Sequence, residues 1–172
     1  INEGYNTGLA TFVSGTVGAA REAAFMQGRS LAVSMHPMTP SDTILFFADY
    51  TIRIAEKLLN YPVPPMTVCS VNLPALPLEE MGDPIVRPLS RKVYQDGYEM
   101  GITPRGERYF LLEPEQPIEN PEPDSDIAGL NSGHIVFTFI ALDDCDQSQF
   151  DDFPLKPWEN DRRTVFPDAD RS

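Results

Sequence analysis

Residues 1–35 read I-N-E-G-Y-N-T-G-L-A-T-F-V-S-G-T-V-G-A-A-R-E-A-A-F-M-Q-G-R-S-L-A-V-S-M, and the fold turns on this stretch. It begins as a polar, glycine-containing loop, passes into a helix and ends in a short apolar strand. Ser14, Gly15 and Thr16 stand where loop becomes helix. Val17, Ala20 and Ala24 then fall on one helical face, the alanines favour helix, and Gly28 is placed to end it. Residues 30–35 predict a buried strand, because their centre is apolar and β-branched. A loop of small residues feeding a helix N-terminus presents backbone N–H groups and a partial positive charge. Such an end suits an anion, and phosphate above all.

Moving outward, His36-Pro37-Met38-Thr39-Pro40 is a connecting loop. His36 has two readings, an acid or substrate contact at a strand end and a loop histidine without a role. Ser41 or Asp42 caps a helix running to about Leu59, with Ile44, Phe47, Ala48, Ile52, Ala55, Leu58 and Leu59 as its apolar stripe. Residues 66–73 predict a second buried strand, closed by Pro74. A strand, a helix and a strand in this order make a parallel crossover the default. Residues 85–112 hold two strand-like segments around the turn Thr103-Pro104-Arg105-Gly106. Residues 114–123 are a Pro/Glu linker. Residues 134–142 are apolar on both faces and predict a central strand, so the architecture expected is a three-layer α/β/α mixed sheet. The body ends near residue 145, and residues 146–172 form an acidic, proline-containing tail.

A net charge of −13 opposes a broad surface for coating nucleic acid, although one local site can still attract a small phosphate. Arg87, Arg91, Lys92, Arg105 and Arg108 interleave with Tyr94, Tyr98, Tyr109 and Phe110, which suits either nucleic acid or a partner subunit. Assembly is the better reading. No run approaches the length of a membrane helix, so no membrane partner is expected. The cysteines, Cys69 and Cys145, have no metal-site spacing; Cys69 lies in an apolar strand and favours a reducing, cytoplasmic compartment. Asp143-Asp144 invites a metal reading but is better taken as a solvated acidic turn.

The run Asn2-Glu3-Gly4-Tyr5-Asn6-Thr7-Gly8, followed by Ser14-Gly15-Thr16-Val17-Gly18-Ala19-Ala20 and Glu22-Ala23-Ala24, closely resembles the survival protein SurE family. Val71-Asn72-Leu73-Pro74 is similar to that family's asparagine-valine-proline strand end, and Asp124-Ser125-Asp126-Ile127-Ala128 to its T-D-x-x-A segment. Asn72 either braces neighbouring loops or serves as a turn asparagine bonding its own backbone. The family's paired-aspartate D-D-G loop is not found before Asn2. On this resemblance the chain is expected to be a C-terminal portion of a longer protein, with its N-terminal strands missing. It implies a Rossmann-like sheet with a protruding hairpin at 85–112 that assembles a homodimer or homotetramer.

The resemblance also implies a metal-dependent phosphomonoester hydrolase acting on nucleoside monophosphates. Its cofactor would be a divalent ion, Mg²⁺ or Mn²⁺, with Asn2 as one neutral oxygen ligand. Asn6, Ser14, Gly15 and Thr16 are the implied phosphate contacts, and the catalytic acids are not identified in this chain. On that view residues 1–172 alone hydrolyse phosphate esters hardly at all, and residues 30–35 present an unpaired edge prone to aggregate. The rival from another class is a non-catalytic α/β binding or assembly module. A dinucleotide-dependent oxidoreductase is weaker, since the glycine spacing departs from G-x-G-x-x-G.

Overall fold

The computed structural model describes residues 1–92, 97–112 and 118–142. Asp143-Asp144, Cys145, the 146–172 tail, Tyr94 and part of the expected 114–123 linker lie outside them. Within residues 1–142 a five-stranded sheet runs in the order β1-β2-β3-β7-β4, from β1 (Asn2–Glu3), β2 (Ser30–Met35), β3 (Thr67–Leu73), β7 (His134–Ala141) and β4 (Gly82–Val86). The strands β1, β2 and β3 are mutually parallel, β7 runs antiparallel to β3, and β4 is parallel to β7. A separate two-stranded antiparallel sheet joins β5 (Tyr98–Ile102) to β6 (Arg108–Leu112).

The structure corrects three expectations. The N-terminal strand is present, because Asn2 and Glu3 form β1 and pair with Ser34 and Met35. β2 is therefore flanked by β1 and β3 and its 30–35 segment has no unpaired edge at its C-terminal end. Ile85 and Val86 belong to the main sheet as β4, paired with Val136 and Phe137, so the outlying two-stranded sheet begins later than residue 85.

Alternation along the strands puts two different cores on the two faces of the sheet. On one face α1 (Gly15–Phe25) lays Val17, Ala20 and Ala24 against Ala32, Val68 and Ile140. Small alanines let this helix sit close. Its end is a Schellman turn, in which Gly28 N–H bonds Ala23 O at 3.0 Å and Gln27 N–H bonds Ala24 O at 2.9 Å. The left-handed residue is Gln27 (φ 60°), one place before the glycine that was expected to break the helix.

On the other face α2 (Ser41–Asn60) packs Phe47, Ile54 and Leu58 over Val33, Cys69, Val71, Leu73 and Ile135. Ile54 takes the place expected of Ile52 and Leu59, which are exposed. Pro40 precedes the first turn as the capping position, and Asp42 Oδ1 accepts from Thr43 N–H at 2.9 Å. The short helix α3 (Asp126–Asn131) packs on β7, where a Cβ on Gly129 would stand 3.1 Å from Val136 Cγ2. Helices on both sides of a mixed sheet give the three layers expected. Among the described residues no helix is long and apolar enough to cross a membrane.

Candidate functional site at the carboxyl ends of the parallel strands

Asn2, Ser34 and Asn72 are register partners across β1, β2 and β3, so a polar row crosses the sheet beside its carboxyl ends. The chain leaving β1 turns at Gly4 (φ 117°), whose N–H bonds Met35 O at 2.8 Å, and then folds back over this row. Asn6 is 8% exposed and is held on both its backbone groups by Asn72. Its N–H donates to Asn72 Oδ1 at 2.9 Å, and Asn72 Nδ2 returns a bond to Asn6 O at 3.0 Å. A side-chain amide here completes a two-bond pair like one rung of a strand ladder. Asn72 thus braces a loop 66 positions away and is not a local turn residue. Asn6 Nδ2 donates to Ser34 Oγ at 2.6 Å, and Thr11 Oγ1 donates to Asn6 O at 3.3 Å.

Beyond this brace a 3₁₀ turn, Gly8–Phe12, leads to Ser14. Ser14 Oγ accepts from Val17 N–H at 3.2 Å and caps α1. The N–H groups of Gly15 and Thr16 belong to the first turn and have no intrahelical acceptor. Gly15 is exposed, and among the described residues beyond its own turn nothing lies within 4 Å of where its Cβ would be. Arg21 Nη2 donates to Phe12 O at 2.9 Å and fastens the turn to the helix. Tyr5 lies with its ring centroid 5.4 Å from that of His36, and its hydroxyl accepts from Ala75 N–H at 3.2 Å. Burial, partly offset by that bond, pushes the Tyr5 phenol above its ordinary value. His36 Nδ1 accepts from Met38 N–H at 3.1 Å, which ties the imidazole to its own loop.

A second brace comes from Asp126, which is wholly buried. Its Oδ2 accepts from Gly8 N–H at 2.8 Å, while Oδ1 accepts from Ser90 N–H and Ile127 N–H, each at 2.8 Å. Burial pushes this carboxyl above its ordinary value, against the pull of the three N–H donors.

The expected site residues therefore separate into two groups. Ser14, Gly15 and Thr16 form the accessible helix start. Asn6 lies beneath the loop with its Nδ2 engaged by Ser34 Oγ and, at 3.4 Å, by Gly4 O. Asn2 sits in the polar row, its Nδ2 donating to Gly4 O at 2.9 Å. Ser34, Ser90 and Asp126 were not assigned roles from sequence. A serine just before the end of the mostly apolar strand Ser30–Met35 is the visible signal for Ser34. For Asp126 the partner lies 118 positions away, and nothing local reveals it.

Among the described residues no three His, Cys, Asp or Glu side chains converge to hold a metal ion. A hard dication takes about six oxygens and usually one or two carboxylates. Asn2 supplies one neutral oxygen, so the described side chains do not by themselves fit a Mg²⁺ or Mn²⁺ centre. A groove of about 840 Å³, lined by Tyr50, Ile54, Tyr61, Phe137 and Phe139, opens on the α2 face.

A mixed sheet with helices on both faces, and a loop-to-helix turn at the carboxyl ends of its parallel strands, defines a Rossmann-like α/β protein. The family model described as "Survival protein SurE" matches residues 1–96, and the chain belongs to that family. That match begins at the first residue and covers the N-terminal region, which corrects the expectation of a C-terminal portion. The chain is 35% identical over 158 residues to the 5'-nucleotidase SurE of Symbiobacterium thermophilum, covering 92% of this chain and 60% of that protein. It is 38% identical over 147 residues to the 5'-nucleotidase SurE of Desulfovibrio desulfuricans, covering 83% and 57%. The crystal structure of the SurE protein from Aquifex aeolicus superposes with a TM-score of 0.69 at 25% identity, over 92% of this chain and 63% of that one. The chain thus spans about three fifths of the length of these relatives.

Proposed function

We propose that this protein is a SurE-type phosphomonoester hydrolase that acts on nucleoside monophosphates with a divalent ion, Mg²⁺ or Mn²⁺. Family membership supports the reading, and the observation that carries it is the braced loop ending in the exposed helix start at Gly15 and Thr16. The phosphate would be received by the N–H groups of Gly15 and Thr16 and by the hydroxyls of Ser14 and Thr16. First-turn donors and the helix dipole favour the charge there, and they are already oriented before substrate arrives. Asn6 and Asn72 fix the loop from beneath. Asn2 would contribute one neutral oxygen to the ion, and the other described side chains do not complete its ligand set. Self-association through β5–β6, as a homodimer or homotetramer, belongs to the same proposal. Tyr98, Met100, Ile102, Phe110 and Leu111 are all exposed on that sheet. The buried free thiol of Cys69 supports residence in the reducing cytoplasm.

The test is phosphate release from AMP by this chain with Mn²⁺, with and without chelator, alongside AMP binding. The expected result is binding, with only trace, chelator-sensitive release from this chain. Release indifferent to chelator, or no binding of AMP, would overturn the proposal. Binding without release would instead support a non-catalytic module. For assembly, Ile102→Lys with Phe110→Lys is expected to lower the mass in solution; an unchanged mass would remove β5–β6 from the interface.

A further inference from the structure

Asp126 does more than hold one loop. Its Oδ2 takes Gly8 N–H, in the loop that leads to the helix start, while its Oδ1 takes Ser90 N–H. Ser90 lies on the segment leading out to β5–β6, and Asp126 begins the helix on the segment returning from it. These outgoing and returning segments are joined again nearby. Asp126 N–H bonds Pro88 O at 2.8 Å, Ser90 Oγ donates to Glu122 Oε2 at 2.6 Å, and Arg91 N–H donates to Glu122 Oε1 at 3.2 Å. Gly8 itself rests on this root. It has a left-handed backbone (φ 51°), and a Cβ there would lie 3.2 Å from both Ser90 O and Ile127 Cδ1. One buried carboxylate therefore closes two structures at once, with one oxygen for each.

We propose that Asp126 is a positioning residue, through which the geometry of the phosphate-binding loop depends on how the root of the β5–β6 sheet is held. The loop's part in binding phosphate rests on the function proposed above; the mechanical link does not. The neutral side-chain amide of an Asp126→Asn variant keeps one acceptor but turns an NH₂ towards a backbone N–H, so one of the two closures is lost. The Glu122 side chain is bonded to Ser90 and Arg91, and reaches Gly8 through Ser90 and Asp126.

The experiment follows amide hydrogen exchange at Gly8 and Ser90, together with AMP affinity, in the wild type, Asp126→Asn and Glu122→Ala. Losing a buried, charge-assisted bond should speed both amides in Asp126→Asn by roughly tenfold or more. Glu122→Ala should speed Ser90 and, by a smaller factor of about threefold, Gly8 as well. AMP affinity should fall in the same order. If Asp126→Asn does not fold, Glu122→Ala decides on its own. Exchange at Gly8 that stays fixed in Glu122→Ala while Ser90 quickens would overturn the link. Unchanged AMP affinity in an Asp126→Asn protein with a loosened Gly8 would overturn the positioning role. Should the wild type bind no AMP, the phosphate reading fails, and the exchange data alone judge the link.

Discussion

Replacing Asn72 by alanine removes both arms of the pair that holds Asn6. The side chain is 1% exposed, so water does not simply take its place. Asn6 N–H loses its acceptor at 2.9 Å, and a buried donor left unpaired costs about 1–3 kcal/mol. Asn6 O loses the bond at 3.0 Å but keeps the Thr11 hydroxyl at 3.3 Å, so its loss is only about 0.5–1.5 kcal/mol. Together they come to about 1.5–4.5 kcal/mol, a large share of the roughly 5–15 kcal/mol that stabilises a domain. At this chain length that is a fall in Tm of very roughly 5–15 °C. Urea unfolding is the assay: the midpoint should drop at an unchanged slope. Asn72→Asp makes the control, since it keeps the acceptor for Asn6 N–H and opposes a carboxylate to Asn6 O. It should be destabilised as well. A loss below about 0.5 kcal/mol in Asn72→Ala, with Asn6 N–H still protected from exchange, would refute the brace.

Three further expectations follow from individual contacts. Gly8→Ala must adopt a left-handed backbone and press on Ser90 O, so a loss of about 1–2 kcal/mol is expected by urea unfolding; neutrality would show that the turn at φ 51° is not required. Burial pushes the Cys69 thiol up to about 12, so in a Cys145→Ser variant a thiol reagent at pH 8 should label Cys69 only as fast as the protein opens, and prompt labelling would contradict its burial. The Ser90 hydroxyl, with backbone N–H groups and the charge of Lys92, holds the Glu122 carboxyl below its ordinary value. A depressed acid stabilises the fold above its unfolded pKa, and that contribution is lost as pH falls through the lower folded value. The Arg91 amide signal should therefore titrate below the ordinary glutamate range, and a midpoint at or above that range would refute the staple.

What the sequence disclosed follows the reach of the interactions. The helix start at Ser14 and the strand at Ser30–Met35 were legible because capping and burial patterns act over a few residues. The antiparallel place of β7 between β3 and β4 was not, because its apolar run is the same whichever way it pairs. The segment around Ile85 read as part of a hairpin, since Ile85-Val86 is as strand-like as Tyr109-Phe110; only the pairing with Val136 and Phe137 assigns it to the main sheet. The two-residue strand Asn2–Glu3 was hidden because its residues are polar and it pairs with the distant Ser34 and Met35. In the site, the helix start was visible and its supports were only half so. Asn72 was singled out with its role open, whereas Asp126 reaches Gly8 and Ser90 through contacts that leave no periodic trace.

The central claim is that the Ser14–Thr16 helix start receives phosphate while Asn6 and Asn72 fix the loop beneath it. Titrating the ¹⁵N-labelled protein with AMP, and separately with inorganic phosphate, tests it most directly. The account predicts that both ligands shift the Gly15 and Thr16 amide signals, that they compete, and that Asn72→Ala weakens both. Signals at Gly15 and Thr16 that do not move, with AMP instead perturbing Tyr50, Tyr61 and Phe139 in the groove on the α2 face, would contradict it.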